Sequence, residues 1–155
     1  MKRYTINPVR YLFVVILLLS SAGGCSNLQT NTSLYTDIGG KEKLEKVFGL
    51  AISRIYNDPI LYPHFKGVPK KALRKKLVDQ TCALIGGPCE YTGKSMKKAH
   101  NERDVTEVEF YRLVEHVQYA MRRMGLSYQQ ENLILQKLAP LKSDIVYQNG
   151  EGNPE

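Results

Sequence analysis

The sequence contains no run of alternating apolar and polar residues long enough for a β-strand. It also lacks a long hydrophobic run. The apolar stretch from Tyr11 to Leu19 has nine residues, whereas a helix needs about 20 to cross a bilayer. Lys2, Arg3 and Arg10 precede it, and a short apolar run after a basic start is typical of a secretory signal.

Small residues at positions 20–24 lead directly to Cys25. This pattern resembles a bacterial lipoprotein signal, in which the cysteine becomes the lipidated N-terminus. Ala22 stands where such signals usually carry a leucine, and a plain signal peptide cut near the same place is the alternative. We expect a signal peptide at 1–24, lipidation of Cys25, a polar tether at 25–33, and a membrane-anchored lipoprotein that faces the periplasm or the cell exterior.

Cysteine is scarce, with three in 155 residues. If Cys25 is acylated, Cys82 and Cys89 remain, on either side of a Gly-Gly turn. In an oxidising compartment they could pair, and two free thiols are the other reading.

Acidic residues are outnumbered, which gives a formal net charge of +7. Loss of residues 1–24 removes three basic residues and lowers it to +4. This mild surplus suits a position near anionic lipid and is not a nucleic-acid-binding signature.

Apolar residues recur every three or four positions through 41–57, a pattern that predicts a helix ended by Asp58 and Pro59. A second helix begins at Pro69 and closes at Gly86. The pairs Thr106 with Glu109 and Ser127 with Gln130 predict capping boxes at the start of two more helices, and Pro140 is expected to bend the last one. These patterns predict an all-α domain over residues 34–147 and a flexible tail at 148–155.

Between the second and third long helices lies a stretch that presents a histidine. Gly86, Gly87 and Pro88 stop one helix, and Gly93 allows a short one to start at Lys94 and end at His100. Met96 and His100 share a face, so the stretch suits a flat, partly apolar ligand with a metal at its centre. The alternative is a histidine that only caps a helix C-terminus.

The chain from Leu34 to Val146 resembles the group I truncated haemoglobins. The residues that carry the resemblance fall in order: Gly39-Gly40, Gly86-Gly87-Pro88, Tyr91-Thr92-Gly93 and Ala139-Pro140-Leu141. The resemblance implies a two-over-two helical sandwich around haem b. It matches His100 to the iron ligand, Phe65 to a phenylalanine on the haem face, Met96 to a haem contact and Tyr91 to a position near a propionate. Lys97 could pair with that carboxylate.

The other face of the haem departs from the family. Ile52 occupies the position of a tyrosine that hydrogen-bonds dioxygen, and Leu73 and Leu77 lie where a glutamine is common. The resemblance therefore implies an unusually apolar distal pocket. Lys76 could reach a propionate, coordinate the metal at high pH or face solvent, and Tyr56 is expected in the core or at the rim.

Two other histidines do not enter the expected site. His64 is expected to be exposed in a loop, and His116 lies beside the apolar stripe of its helix without an assigned role.

These expectations leave three alternative functions. The first is a membrane-anchored haem protein for binding or transport of O2, NO or CO. The second is a nitric oxide dioxygenase, which would need an external reductase because the chain has no flavin or nicotinamide domain. The third is a helical interaction module without haem.

Overall fold

The computed structural model describes residues 33–147, and these residues form helices without a β-strand. The prediction of an all-α domain is confirmed. The long helices are α2 (Gly40–Ile55), α4 (Lys70–Leu84), α6 (Glu107–Arg123) and α7 (Tyr128–Leu138). The short ones are α1 (Leu34–Asp37), α3 (Tyr62–Phe65), α5 (Met96–His100) and α8 (Lys142–Ile145), with a 3-10 turn at Ala139–Leu141 before α8.

Helix starts follow the predicted capping chemistry. The backbone N–H of Glu109 donates to the Thr106 hydroxyl at 3.2 Å, and the Thr106 N–H donates to the Glu109 carboxylate at 2.8 Å. Ser127 and Gln130 make the same reciprocal pair at α7. Both boxes satisfy N–H groups that a helix start leaves without partners.

Helix ends differ in detail from the sequence patterns. Pro140 was expected to bend the last helix, but α7 stops at Leu138 and a 3-10 turn carries the chain into α8. A proline has no N–H to donate and its ring crowds the preceding turn, which ends regular α-helix there. The short helix before His100 starts at Met96, later than expected, because Ser95 is its N-cap.

The core lies where α2 crosses α4 and α6, while α7 packs against α4 and α6. The buried apolar side chains of this core come from all four long helices. They include Leu44, Val47, Phe48, Ala51, Val78, Cys82, Val117, Ala120, Met121 and Ile134. Helix α5 packs mainly against α8.

Two glycines allow backbone and rings to approach closely. A Cβ at Gly87 would lie 2.5 Å from both Tyr35 Cδ2 and Cys82 Sγ, and one at Gly93 would lie 2.2 Å from the Tyr91 hydroxyl. Each glycine therefore accepts a tyrosine ring against its backbone. Cys82 and Cys89 form a disulfide across this turn, with Cα atoms 5.7 Å apart.

Among the described residues, none of the helices combines the length and apolar character needed to span a membrane. The predicted signal peptide, Cys25, the tether up to residue 32 and the tail at 148–155 lie outside the described residues. Ser33, the last predicted tether residue, is the N-cap of α1.

Candidate functional site

His100 is half-buried at the end of α5. Its Nδ1 lies 2.9 Å from the carbonyl oxygen of Met96, one turn earlier. Because a carbonyl can only accept, Nδ1 carries the proton, and the lone pair of the neutral ring is on Nε2. Within residues 33–147, no side chain or backbone group hydrogen-bonds to Nε2. The hydrogen bond thus fixes the tautomer and restrains the ring, as hydrogen bonds to the second ring nitrogen do in metal-ligating histidines.

The apolar residues predicted to contact the ligand are half-buried: Phe65 on α3, Leu73 and Leu77 on α4, and Met96 on α5. Leu73 and Leu77 pack against the edge of the core. A flat apolar ligand against these side chains would remove their remaining apolar surface from water, which favours binding by about 25 cal/mol per Å².

Ile52, the third residue predicted on the distal side, is buried with 3% of its surface exposed and belongs to the core itself. It offers no hydrogen-bond donor. Tyr56, one turn later, donates its hydroxyl proton to the carbonyl of Val68 and stacks near Phe65, with ring centroids 5.9 Å apart. Tyr56 was expected in the core or at the rim, and its half-buried side chain packs against the core.

Of the residues predicted near a propionate, Tyr91 is half-buried in the turn before α5 and Lys97 lies on α5. The Tyr91 hydroxyl donates to the Lys94 carbonyl at 2.9 Å, which orders the turn over Gly93. Lys97 is exposed, and so is Lys76 on α4. Neither lysine has an ion pair within the part of the chain that the structure describes. All three assignments therefore stay predictions.

The sequence analysis expected His64 to be exposed in a loop, and this expectation is wrong. It lies in α3, half-buried, and its Nε2 is 2.9 Å from Glu109 at the start of α6. The hydrogen bond from His64 is the main reason that the pKa of the Glu109 carboxyl falls to about 2. Arg103 also donates to the His64 carbonyl, at 2.9 Å. These contacts fix α3, and with it the neighbouring Phe65, to α6.

His116 has a structural role that the sequence did not reveal. Its Nε2 donates to Asp58 at 2.7 Å, and its Nδ1 accepts from Arg54 at 3.2 Å. Arg112 also donates to Asp58, at 2.6 Å. Burial raises the pKa of the Asp58 carboxyl, but these hydrogen bonds outweigh burial and hold that pKa well below its usual range. The signal that could have found this network is an aspartate directly after a helix and a histidine beside an apolar stripe.

The donor set of the site fits a haem. No group of three or more His, Cys, Asp or Glu side chains suited to a metal ion occurs within residues 33–147. One imidazole with an available Nε2 suits a metal whose remaining in-plane ligands belong to a cofactor. The Phe, Leu and Met side chains that the resemblance assigns to the site would suit an apolar macrocycle.

Comparison with known proteins decides the family. The family model described as "Bacterial-like globin" matches residues 33–147. The chain belongs to the bacterial-like globins. The group 1 truncated hemoglobin GlbN of Mycolicibacterium paratuberculosis is 34% identical over 113 residues, which cover 73% of this chain and 83% of that protein. The GlbN protein of a Nostoc species is 29% identical and covers 74% of this chain and 98% of its own length.

The globin fold is confirmed by a solved structure. The truncated hemoglobin of Tetrahymena pyriformis in its Fe(III) form superposes with a TM-score of 0.72 at 20% identity, covering 76% of this chain and all of that one. The predicted two-over-two fold is therefore correct. Membership in the truncated haemoglobins identifies haem as the cofactor of this globin and a diatomic gas as its ligand.

Proposed function

We propose that this globin holds haem b through His100 and binds a diatomic gas on the opposite face, which Ile52, Leu73 and Leu77 make unusually apolar. The observation that carries the proposal is the hydrogen bond between His100 Nδ1 and the Met96 carbonyl. It leaves Nε2 as the ligand atom and keeps the ring from turning away. When bound, haem supplies a ferrous iron centre to which gases bind reversibly.

The protein's own residues would then contact different parts of the haem. Phe65 and Met96 would press on the macrocycle, and Tyr91 and Lys97 would lie near the propionates, where a lysine can neutralise a carboxylate. The three distal side chains would exclude water but would donate no hydrogen bond. Because a distal donor is what retains dioxygen against dissociation, this arrangement favours reversible gas binding over nitric oxide dioxygenation, for which dioxygen must be held until NO arrives.

The proposal also places the globin at a membrane. Lipidation at Cys25 would tether the domain through the segment before Ser33 to the periplasmic or outer face of a bacterial membrane. Support comes from the basic start, the short apolar run and the small residues that precede Cys25. A reductase, if one acts on this globin, would be a separate protein.

Absorption spectra of the purified protein, ferric and dithionite-reduced, test this function. We expect a Soret band that shifts on reduction and shifts again with CO. A protein without a Soret band after haem addition would instead support the helical interaction module. Sustained NO consumption with a physiological reductant would favour the dioxygenase.

A further inference from the structure

Two cavities open on the surface of α2 and meet at one residue. A cavity of about 320 Å³ is lined by residues that include Arg54, Arg112 and Asn57. A second, of about 350 Å³, is lined by residues that include Lys70, Lys71 and Arg74. Ser53 lines both. The two cavities therefore adjoin at Ser53, and we call the pair of them the basic groove.

The groove is strongly cationic. Five side chains in its walls carry positive charge, and the acidic residue among those that line it is Asp58. Asp58 is already committed: its Oδ1 accepts the backbone N–H groups of Ile60 and Leu61, and its Oδ2 accepts from Arg112 and His116. It therefore neutralises part of the positive charge in the first cavity without offering an acceptor to a ligand. No acidic residue among those that line the second cavity neutralises its positive charge.

Two arginines are held in place by groups that leave their outer nitrogens available. Arg112 is anchored through Nε at 2.6 Å to a carboxylate that is only 4% exposed. Arg54 donates through Nε to His116 and stacks on Tyr119, with its Cζ 3.9 Å from the ring centroid. Fixing a guanidinium in this way reduces the entropy lost when its two terminal nitrogens bind an anion.

In the second cavity, Arg74 lies over Gly49, where the missing side chain lets the guanidinium rest against α2. Lys71 lies three residues before Arg74 on the same side of α4. Leu77 lies three residues after Arg74 on α4, and the second cavity is also lined by Ile52, which we place on the distal side of the haem. The basic groove therefore borders the distal side of the proposed haem site at Ile52, while Lys70, Lys71 and Arg74 are exposed to solvent.

We propose that the basic groove binds a ligand with two or more phosphate groups, one in each cavity, with the Ser53 hydroxyl donating where the cavities join. Guanidinium and ammonium donors on both sides match phosphate oxygens, and Arg binds them in bidentate fashion. The volumes fit a small phosphorylated molecule. The phosphate groups could belong to a soluble polyphosphate compound or to lipid headgroups.

Calorimetric titration of the haem-loaded protein with tripolyphosphate and with orthophosphate, at physiological ionic strength, tests the proposal. Tripolyphosphate should bind about tenfold or more tightly than orthophosphate, because it can occupy both cavities. Arg54→Gln and Arg74→Gln should each weaken tripolyphosphate binding about tenfold, since each removes charge-assisted hydrogen bonds. Arg123→Gln, an equal charge change at an exposed site on α6, is the matched control and should change it less than about twofold.

Sedimentation with phosphatidylglycerol and phosphatidylcholine vesicles, on a form that lacks residues 1–32 and retains its Soret band, separates the two sources. Groove-dependent binding to phosphatidylglycerol vesicles without tripolyphosphate binding would assign the site to lipid headgroups. Absence of binding in both arms, or equal weakening by Arg123→Gln, would overturn the proposal. The Soret band of each variant shows whether it has folded. If Arg54→Gln has no Soret band, the binding of tripolyphosphate by Arg74→Gln tests the proposal.

Discussion

At the scale of single residues, the chemistry of the gas site depends on groups that are missing. Ile52 is buried in the core, and Leu73 and Leu77 lie at its edge. The nearby hydroxyl of Tyr56 donates to Val68 and is not available as a distal donor. A site without a distal donor would not use hydrogen bonding to select one gas over another. Each gas would be held mainly by its bond to the iron.

We therefore predict fast release of dioxygen. A hydrogen bond to a partly charged acceptor contributes roughly 1.5–3 kcal/mol, so Ile52→Tyr should slow dioxygen dissociation on the order of ten- to a hundredfold. CO dissociation should change little, because CO gains less from a donor. Stopped-flow measurement of both gases checks this, with Ile52→Phe as the control for added volume. Slow release from the native protein that Tyr does not slow further would show that another donor is present.

A second residue-scale prediction concerns acid stability. The pKa of Glu109 is lowered from its ordinary value of 4.5 to about 2, first by the hydrogen bond from His64. A lowered folded-state pKa adds stability above about pH 4.5, and this stability is lost as pH falls towards 2. Urea unfolding of the native protein and Glu109→Gln should differ less at pH 3.5 than at pH 6, by about 1 kcal/mol.

Glu115→Gln is the control for the acid-stability measurement, because Glu115 is an exposed residue on the same helix. It should show the same small effect at both pH values. If Glu109→Gln behaves like this control, the contact between His64 and Glu109 contributes nothing in solution.

At the scale of helices, local sequence signals predicted most of what is observed. Apolar periodicity located the four long helices, and the capping boxes at Thr106 and Ser127 located two of their starts. Contacts between residues far apart in the chain were not predictable in this way. His64 meets Glu109 across 45 residues, and His116 meets Asp58 across 58. Only tertiary packing brings these groups together, so a one-dimensional pattern carries little trace of them.

The close approach at Gly87 gives an element-scale prediction. A Cβ there would overlap the ring of Tyr35 and the sulfur of Cys82, at 2.5 Å from each. Gly87→Ala should therefore separate α1 from the end of α4 and lower the free energy of unfolding by about 1–3 kcal/mol. Gly49→Ala, on α2, meets only the flexible Arg74 at 3.6 Å and should be neutral or stabilising by up to about 1 kcal/mol. Thermal unfolding of both variants compares them, and equal effects would show that the turn relaxes.

At the scale of the whole molecule, a compact globin would be carried on a short polar tether. The family match begins at residue 33, where the structure places the N-cap of α1. The predicted boundary between tether and domain at 33 and 34 is compatible with this. The anchor itself was read from residues outside those described, and only an experiment on the intact chain tests it.

We predict that Cys25→Ser abolishes detergent-phase partitioning of the expressed protein, because it removes the thiol through which we propose that the lipid is attached. The variant should keep its Soret band, which shows that the domain still folds. Cys89→Ser, which removes a cysteine of the Cys82–Cys89 disulfide and leaves Cys25 in place, is the control and should still partition into detergent. Native-like partitioning of Cys25→Ser would rule out the lipoprotein.

The central claim is that His100 ligates the haem iron, and ferrous absorption and resonance Raman spectra of His100→Gly test it most directly. We predict that the variant binds haem weakly or lacks the iron–histidine stretching band, and that added imidazole restores the native ferrous spectrum by filling the space of the lost ring. His64→Gly is the matched control and should keep the band. An unchanged ferrous spectrum in His100→Gly, without imidazole, would contradict the claim.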